Sequence, residues 1–192
     1  WMGDIDSLKS QVDLKLSEGY RCLKLKIGAL DFGKEYSLLK SIRDQYPPSE
    51  LEIRLDANGA YSYEDSLEIL NKLSKLNIHS IEQPIKAGQI KQMSELCISS
   101  PIPIALDEEL IGVNTIKNKI KLIKDVKPQY IILKPSLIGG FRSSMEWINI
   151  LPKSTKYWVT SALESNVGLS AISQWIYTLN CSLPQGLGTG SL

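Results

Sequence analysis

Six polar side chains recur along the sequence at nearly constant spacing, each directly after a short apolar run. Successive members are separated by 25 to 30 residues. An apolar run, a polar residue, a loop and an amphipathic stretch, repeated in this way, are typical of parallel βαβ units. Because the carboxyl ends of parallel strands meet at one end of a barrel, we predict that these side chains converge there. They are Lys26, Asp56, Glu82, Asp107, Lys134 and Ser161.

Three of these side chains are carboxylates on consecutive repeats. Asp56, Glu82 and Asp107 would form an arc of hard oxygen ligands suited to Mg²⁺ or Mn²⁺, with water or substrate at the remaining positions. The alternative for each carboxylate is an N-cap of the helix that follows it. Lys26 precedes the arc and Lys134 follows it, although Lys134 could also simply pair with Asp107. The sequence therefore predicts a divalent cation between two lysines.

This combination indicates proton transfer next to a substrate carboxylate. A cation that already has three carboxylate ligands is better suited to holding a substrate carboxylate and stabilising its enolate than to generating hydroxide. A lysine beside a second lysine and a cation has a lowered pKa and becomes a usable base near neutral pH. We therefore expect a small-molecule carboxylate substrate and abstraction of its α-proton.

The apolar runs predict strands, and the stretches between them predict helices. A leading helix carries Ile5, Leu8 and Val12 on one face, with Asp4 as its N-cap. Ser62 begins a capping box, and amphipathic spacing predicts helices over 141–151 and 166–179. The predicted strands are 22–27, 51–55, 78–81, 102–106, 130–133 and 157–160, with a weaker seventh at 185–188.

Strand alternation predicts which side chains enter the barrel. In Leu23–Ile27 the leucines and the isoleucine share one face, so Lys24 and Lys26 share the other and point inward. The same parity places Arg54 and Asp56 inside and His79 outside. Lys24 could instead join a structural network with Glu52 or Arg54.

The regular series predicts a single (β/α)₈ TIM-type barrel, with an open doubly wound sheet as the alternative. Seven units and a leading helix are one strand short of such a barrel, which typically has about 250 residues. We therefore expect residues 1–192 to be an incomplete catalytic barrel domain that lacks most of its first strand and belongs to a protein extending in both directions. A barrel that lacks a strand should be unstable alone.

Composition excludes several classes of protein. The 22 Lys and Arg residues nearly balance the 21 Asp and Glu residues, so no nucleic-acid-binding face is expected. The apolar runs are too short to span a membrane, and no signal peptide is visible. Three widely separated cysteines and one histidine predict neither a disulfide framework nor a zinc site, and favour a cytoplasmic location. The oligomeric state cannot be read from these features.

Five segments together resemble the muconate lactonising enzyme subgroup of the enolase superfamily. They are Lys24-Leu25-Lys26, Asp56-Ala57-Asn58-Gly59, Ile81-Glu82-Gln83-Pro84, Ala105-Leu106-Asp107-Glu108 and Leu133-Lys134-Pro135. The resemblance implies that Lys26 is the catalytic acid and base, that Lys134 acts opposite it, and that the three carboxylates bind Mg²⁺. It also implies that Lys24 holds substrate or tunes Lys26, that Asn58 supports the first metal ligand, and that an N-terminal α+β capping domain is not part of this chain.

The C-terminal segments resemble the o-succinylbenzoate synthases of that subgroup, which serve menaquinone biosynthesis. The resemblance rests on Ser161-Ala162-Leu163-Glu164-Ser165 and Gly186-Leu187-Gly188-Thr189-Gly190. It implies a lyase that dehydrates 2-succinyl-6-hydroxy-2,4-cyclohexadiene-1-carboxylate, with Ser161, Glu164, Gly186 and Gly188 binding substrate. The exposed N–H groups of the glycine-rich run suit a carboxylate, and a tight turn is the alternative.

Other activities remain open at this point. N-succinylamino-acid racemase, dipeptide epimerase and muconate cycloisomerase belong to the same superfamily. The epimerases carry an Asp-x-Asp at the last strand that this sequence lacks, whereas two lysines would suit a racemase. A catalytically silent barrel, or a phosphate-binding barrel that uses Gly139 and Gly140, is the third class.

Overall fold

The computed structural model describes residues 5–188, and it contains one parallel sheet. The strands follow one another in chain order and curl into part of a barrel. Each predicted strand from 22–27 to 157–160 is confirmed in position, although two of them, at 78–81 and 102–106, are shortened to three residues. The strands are β1 (Cys22–Lys26), β2 (Glu52–Asp56), β3 (Ser80–Glu82), β4 (Ile104–Leu106), β5 (Tyr130–Leu133) and β6 (Lys156–Val159).

Helices connect the strands on one side of the sheet. The capping box is confirmed, because the Ser62 hydroxyl accepts a 3.0 Å hydrogen bond from the Asp65 amide. The predicted cap Asp4 lies outside the described residues. Within 5–188, no helix has both the length and the apolar character needed to cross a bilayer. The helices are α1 (Ile5–Ser17), α2 (Phe32–Gln45), α3 (Tyr63–Leu73), α4 (Ile90–Ser99), α5 (Ile116–Val126), α6 (Pro135–Ile138), α7 (Gly140–Ile150) and α8 (Asn166–Tyr177), with 3₁₀ turns at Ser74–Leu76 and Glu108–Leu110.

The two faces of the sheet bury different sets of side chains. Leu25, Leu55 and Leu133 belong to the main core between the sheet and the helices. Ala105 and Trp158 belong to a separate, smaller cluster on the concave face. Strand alternation therefore holds as predicted, and it leaves the concave face for polar side chains.

The predicted seventh strand forms only in part. Residue Gly186 makes an isolated parallel bridge with Thr160, and no named strand covers 185–188. The Gly186 amide donates to the Val159 carbonyl at 2.8 Å, and its carbonyl accepts from the Ser161 amide at 3.1 Å. This single rung continues the parallel order beyond β6.

The outward placement of His79 was wrong. Its imidazole packs against the Tyr130 ring, with centroids 5.0 Å apart, and lies 6.2 Å from the Trp158 ring on the concave face. His79 precedes the first residue of β3, so the alternation of that strand does not determine its direction. Burial lowers the pKa of His79, the nearby Glu52 carboxylate raises it, and the net direction is downward.

Candidate active site

The strand register aligns the first three predicted site residues. Lys26 pairs with Asp56 across β1 and β2, and Asp56 pairs with Glu82 across β2 and β3. Glu82 pairs with Ala105, and Asp107 therefore lies two residues beyond the partner of Glu82, past the carboxyl end of β4. This stagger is the expected shear of a barrel sheet. The predicted convergence at the carboxyl ends is therefore confirmed for these backbone positions.

Lys24 joins two of the buried carboxylates. Asp56 and Glu82 are each only 1% exposed. The Lys24 ammonium lies 2.9 Å from Asp56 Oδ2 and 2.9 Å from Glu82 Oε2. Burial alone would lower the pKa of Lys24, but the Glu82 and Asp56 carboxylates outweigh it and raise that pKa. Lys24 is thus the counterion of the carboxylate arc, rather than a partner of Glu52 or Arg54.

Lys134 has the same role at the other end of the arc. Its ammonium hydrogen-bonds Asp107 Oδ2 and lies 3.6 Å from Glu82 Oε1. Burial lowers the pKa of Lys134, while Glu82 and Asp107 raise it further than burial lowers it. Both the predicted pairing with Asp107 and the predicted position beyond the carboxylates are therefore present.

Glu82 is the central carboxylate of the arc, and its pKa is strongly raised. Burial is the largest cause that raises its pKa, to about 8, while Lys24 opposes the rise and Asp56 and Asp107 add to it. Its Oε1 atom is buried without a hydrogen-bond partner in the described part of the chain. A buried carboxylate oxygen without a partner is costly, and a cation near it would remove that cost.

This arrangement suits a divalent cation by the chemistry of its donors. Three buried carboxylates supply hard oxygen atoms, and two ammonium groups already neutralise part of their charge. Among residues 5–188, no three His, Cys, Asp or Glu side chains converge in a ready-made metal site. The lysine ammoniums lie against the carboxylate oxygens that a metal would use, so binding requires these side chains to shift.

Lys26 lies at the open edge of the arc. Its ammonium is 3.6 Å from Asp56 Oδ2, and it donates a hydrogen bond to Asn58 Oδ1. Asn58 has a φ of 44°, and its backbone N–H donates to Asp56 Oδ1 at 3.1 Å. The Lys26 side chain is 44% exposed, in contrast to the buried carboxylates. It is therefore the more exposed of the two lysines on β1, since the Lys24 side chain is 32% exposed.

The structure also shows supporting residues that the sequence analysis missed. Gln83 is fully buried, and its side-chain oxygen accepts from the amides of Asp107 and Glu109 at 3.3 and 3.4 Å. Glu35 accepts from the amides of Gly28, Ala29 and Leu30 at 2.9 to 3.1 Å and fixes the loop after β1. Gln83 was visible only as part of a quoted motif, and no local signal identified Glu35.

The loop after β6 is organised by its own polar side chains. The Ser161 hydroxyl donates to Glu164 Oε2 at 2.7 Å, and Ser136 donates to Glu164 Oε1 at 2.5 Å. Burial raises the pKa of Glu164, but hydrogen bonds from Ser136 and Ser161 lower it more. Leu163 has a φ of 66° and a side chain that is largely exposed. Substrate binding by Ser161 and Glu164 remains a prediction.

The two glycines of the C-terminal run differ in their surroundings. The Gly186 amide already belongs to the sheet ladder, and a Cβ there would lie 2.7 Å from Thr160 Cγ2. A Cβ at Gly188 would approach the Tyr20 ring at 3.1 Å. Close packing therefore disfavours any side chain at Gly186, whereas a Cβ at Gly188 would require the Tyr20 ring to shift by a few tenths of an ångström. A role for Gly188 in substrate binding stays a prediction, and Thr189 and Gly190 lie outside the described residues.

The comparison with known families matches this geometry. The family model described as enolase C-terminal domain-like covers residues 7–185. The chain belongs to that enolase-like family. The enolase-like chain is 51% identical over its whole length to the o-succinylbenzoate synthase of Desulfotalea psychrophila, of which it covers 52%. It is 33% identical, over 82% of its length, to the N-succinylamino acid racemase of Thermus thermophilus, of which it covers 40%.

Solved structures show the same fold. The crystal structure of MenC from Desulfotalea psychrophila superposes with a TM-score of 0.93 and 50% identity, over all of this enolase-like chain and 53% of that one. A muconate lactonizing enzyme at 22% identity, with a TM-score of 0.85, shows likeness of fold alone. The enolase-like chain therefore spans about half the length of the relatives that it matches.

Proposed function

We propose that the protein containing this chain is an o-succinylbenzoate synthase. The observation that carries the proposal is the 51% identity to the enzyme of that name along the entire chain. The substrate would be 2-succinyl-6-hydroxy-2,4-cyclohexadiene-1-carboxylate, and the reaction is a syn dehydration. The arrangement of the site supports this choice. Lys26 would supply the base, and Lys134 with a cation held by the three carboxylates would supply positive charge for the carboxylate of the substrate.

Asp56, Glu82 and Asp107 would hold Mg²⁺, with Mn²⁺ as an alternative. The bound cation would supply positive charge for the substrate carboxylate. Glu82 is the ligand that gains most from it, because its Oε1 atom is buried without a partner among the described residues. Before the cation binds, Lys24 holds Asp56 and Glu82 in place through its two 2.9 Å contacts.

Lys26 is the proposed acid and base. It removes the α-proton of the substrate, so that the C–H bond breaks and an N–H bond forms. The same ammonium then returns the proton to the departing hydroxyl on the same face, the C–O bond breaks, and water leaves. The ring becomes aromatic, and Lys26 ends in its initial state. Lys26 is suited to this cycle because it is exposed at the edge of the site.

Lys134 is proposed to stabilise the negative charge that develops on the substrate. Its ammonium is anchored on Asp107 and remains only 15% exposed. A fixed cation in a desolvated site needs little reorganisation during the reaction, which is the main source of electrostatic catalysis. In a one-base dehydration Lys134 does not exchange a proton with substrate.

The test is conversion of the cyclohexadiene substrate by the protein that contains this chain, together with any further sequence that its gene encodes. Absorbance follows the reaction with added Mg²⁺, for the wild type and for Lys26→Ala. We expect a fall in kcat of at least about 10³-fold in the variant, since both proton transfers are lost. Lys40→Ala, a change of an exposed lysine on α2, is the matched control.

A racemase is the second candidate, because the Thermus thermophilus relative is named for that activity and a second lysine lies beyond the carboxylates. It predicts exchange of the α-proton of N-succinylamino acids in D₂O that depends on both Lys26 and Lys134. If the protein does not dehydrate the cyclohexadiene but does catalyse this exchange, its function is that of a racemase and not of a synthase.

A further inference from the structure

We propose that Glu108 is a positioning residue: it fixes the orientation of the Asn58 side-chain amide, and through that amide the location of the Lys26 amine. The proposal rests on the proposed function only in naming Lys26 as the base. Glu108 follows the predicted ligand Asp107 in the chain, and its carboxylate reaches across to the loop after β2.

The orientation of the Asn58 amide is determined by its two neighbours. Its Oδ1 accepts from the Lys26 ammonium, and its Nδ2 donates to Glu108 Oε1 at 2.8 Å. An ammonium can only donate and a carboxylate can only accept, so the reversed amide would lose both bonds. Glu108 therefore selects the rotamer that presents an acceptor to Lys26.

The backbone that carries Glu108 is held in place by buried hydrogen bonds. Glu108 begins the 3₁₀ turn Glu108–Leu110, and the backbone amides of Asp107 and Glu109 donate to the fully buried Gln83 side chain. Glu109 in turn accepts from the Gly88 amide at 2.8 Å. These hydrogen bonds fix the backbone of the turn, and the turn places Glu108 where its carboxylate can accept from Asn58.

Local stability alone gives a poor account of Glu108. Its second oxygen, Oε2, is buried without a hydrogen-bond partner within residues 5–188, which costs free energy. Asn58 has a φ of 44°, in the left-handed region where asparagine is several-fold enriched among non-glycine residues. The unfavourable feature, the buried oxygen of Glu108 without a partner, therefore lies beside the contact that orients the acceptor of Lys26.

Loss of Glu108 removes one of the two hydrogen bonds that fix the Asn58 side-chain amide, so that only the bond from Lys26 opposes its rotation. In the reversed rotamer its NH₂ group faces the Lys26 ammonium, donor against donor, and the lysine moves away. A displacement of about 1 Å at a reacting group can reduce a rate about 100-fold. Because substrate binding depends mainly on the cation and other groups, the change should appear in kcat and leave KM within about twofold.

The test is a kinetic double-mutant cycle in the complete protein with Mg²⁺. Glu108→Ala should lower kcat by roughly 10- to 100-fold, whereas Glu108→Gln, which keeps an acceptor oxygen, should retain most of it. Asn58→Gly tolerates the positive φ, and in that background Glu108→Ala should cost less than about twofold more. Glu95→Gln, at a carboxylate on α4 that accepts from Tyr63, is the matched control and should leave kcat unchanged.

Three results would overturn the proposal: additive effects in the cycle, equal losses for Glu108→Ala and Glu108→Gln, or a tenfold weaker Mg²⁺ affinity of Glu108→Ala by calorimetry. Additivity means that Glu108 does not act through Asn58, equal losses indicate charge alone, and weak metal binding indicates a metal ligand. An inactive wild type refutes the proposed function instead. In that case a second cycle, between Glu108→Ala and Lys26→Ala, is measured by urea unfolding. The two changes should be coupled in the wild-type background and uncoupled in the Asn58→Gly background, and no coupling in the wild-type background overturns the positioning role.

Discussion

Replacing Lys24 by methionine should destabilise the protein strongly in the absence of metal. The side chain keeps its length and apolar stem, but the ammonium that contacts Asp56 and Glu82 is removed. Both carboxylates are 1% exposed, so neither can recover the lost interaction from water. The change therefore leaves the two buried carboxyl groups beside each other, and in the described part of the chain Lys26 and Lys134 are the ammonium groups that still lie close to them.

The magnitude follows from the two 2.9 Å contacts. With an effective dielectric constant of about 20, each charge pair at that distance contributes roughly 6 kcal/mol of attraction before desolvation is subtracted. Removing one partner of a buried ion pair costs about 3–5 kcal/mol in practice. Since the Lys24 side chain is 32% exposed, we expect the lower part of this range, a loss of about 3 kcal/mol in the free energy of unfolding.

The assay is urea unfolding of the complete protein followed by circular dichroism, first with a chelator and then with saturating Mg²⁺. Because the cation would neutralise the same carboxylates, Mg²⁺ should reduce the deficit of Lys24→Met relative to the wild type. Lys40→Met removes an exposed lysine that pairs with Asp44, and it should change little.

Two results would refute this reasoning. A loss of less than about 1 kcal/mol without metal would mean that Lys24 is not the main counterion of the arc. A deficit of the same size with and without Mg²⁺ would mean that Asp56 and Glu82 do not hold the cation.

Three further predictions concern other parts of the fold, and urea unfolding tests each of them. Ser62→Ala removes the N-cap of α3 and should cost about 1 kcal/mol, so an unchanged midpoint would contradict the capping role. Burial lowers the pKa of His79, so the imidazole binds a proton more readily in the unfolded chain than in the folded protein. The free energy of unfolding should therefore fall as the pH drops from 7 towards 5, and His79→Gln should flatten this dependence. Gly28→Ala combines a φ of +85° with a Cβ only 2.4 Å from Ala60 Cβ, so it should lower the free energy of unfolding by more than about 2 kcal/mol. Gly88→Ala, with nothing within 4 Å of the added Cβ, should lower it by only about 1 kcal/mol. Equal losses for the two variants would show that the contact with Ala60 is unimportant.

Local patterns were sufficient to predict the repeat and its polar ends. Each strand is a short apolar run, and parallel strands of one sheet have their carboxyl ends on the same side. Lys26, Asp56 and Glu82 could therefore be predicted from the sequence to lie together, as the strand register shows. The weak seventh strand was less certain, because its pairing rests on one rung between Thr160 and Gly186. Alternation failed for His79, which precedes its strand.

The contacts within the site were a different matter. Lys24 had two candidate partners on β2, Glu52 and Arg54, and only the sheet geometry decided that its ammonium reaches Asp56 and Glu82 instead. The hydrogen bond from Asn58 to Glu108 joins residues that are 50 positions apart, and it depends on the 3₁₀ turn braced by Gln83. Neither could be inferred from spacing along the chain.

The pattern of residues along the chain predicted the parallel repeat, the two faces of each strand, and the carboxylates and lysines at the strand ends. This was possible because the period of two and the order of βαβ units are local properties of the chain. Only the folded structure shows which ammonium neutralises which carboxylate, that burial raises the pKa of Glu82, and which way the Asn58 side-chain amide points. Burial, electrostatic interaction and hydrogen-bond direction depend on distances between residues far apart in the sequence, and only the folded chain fixes those distances.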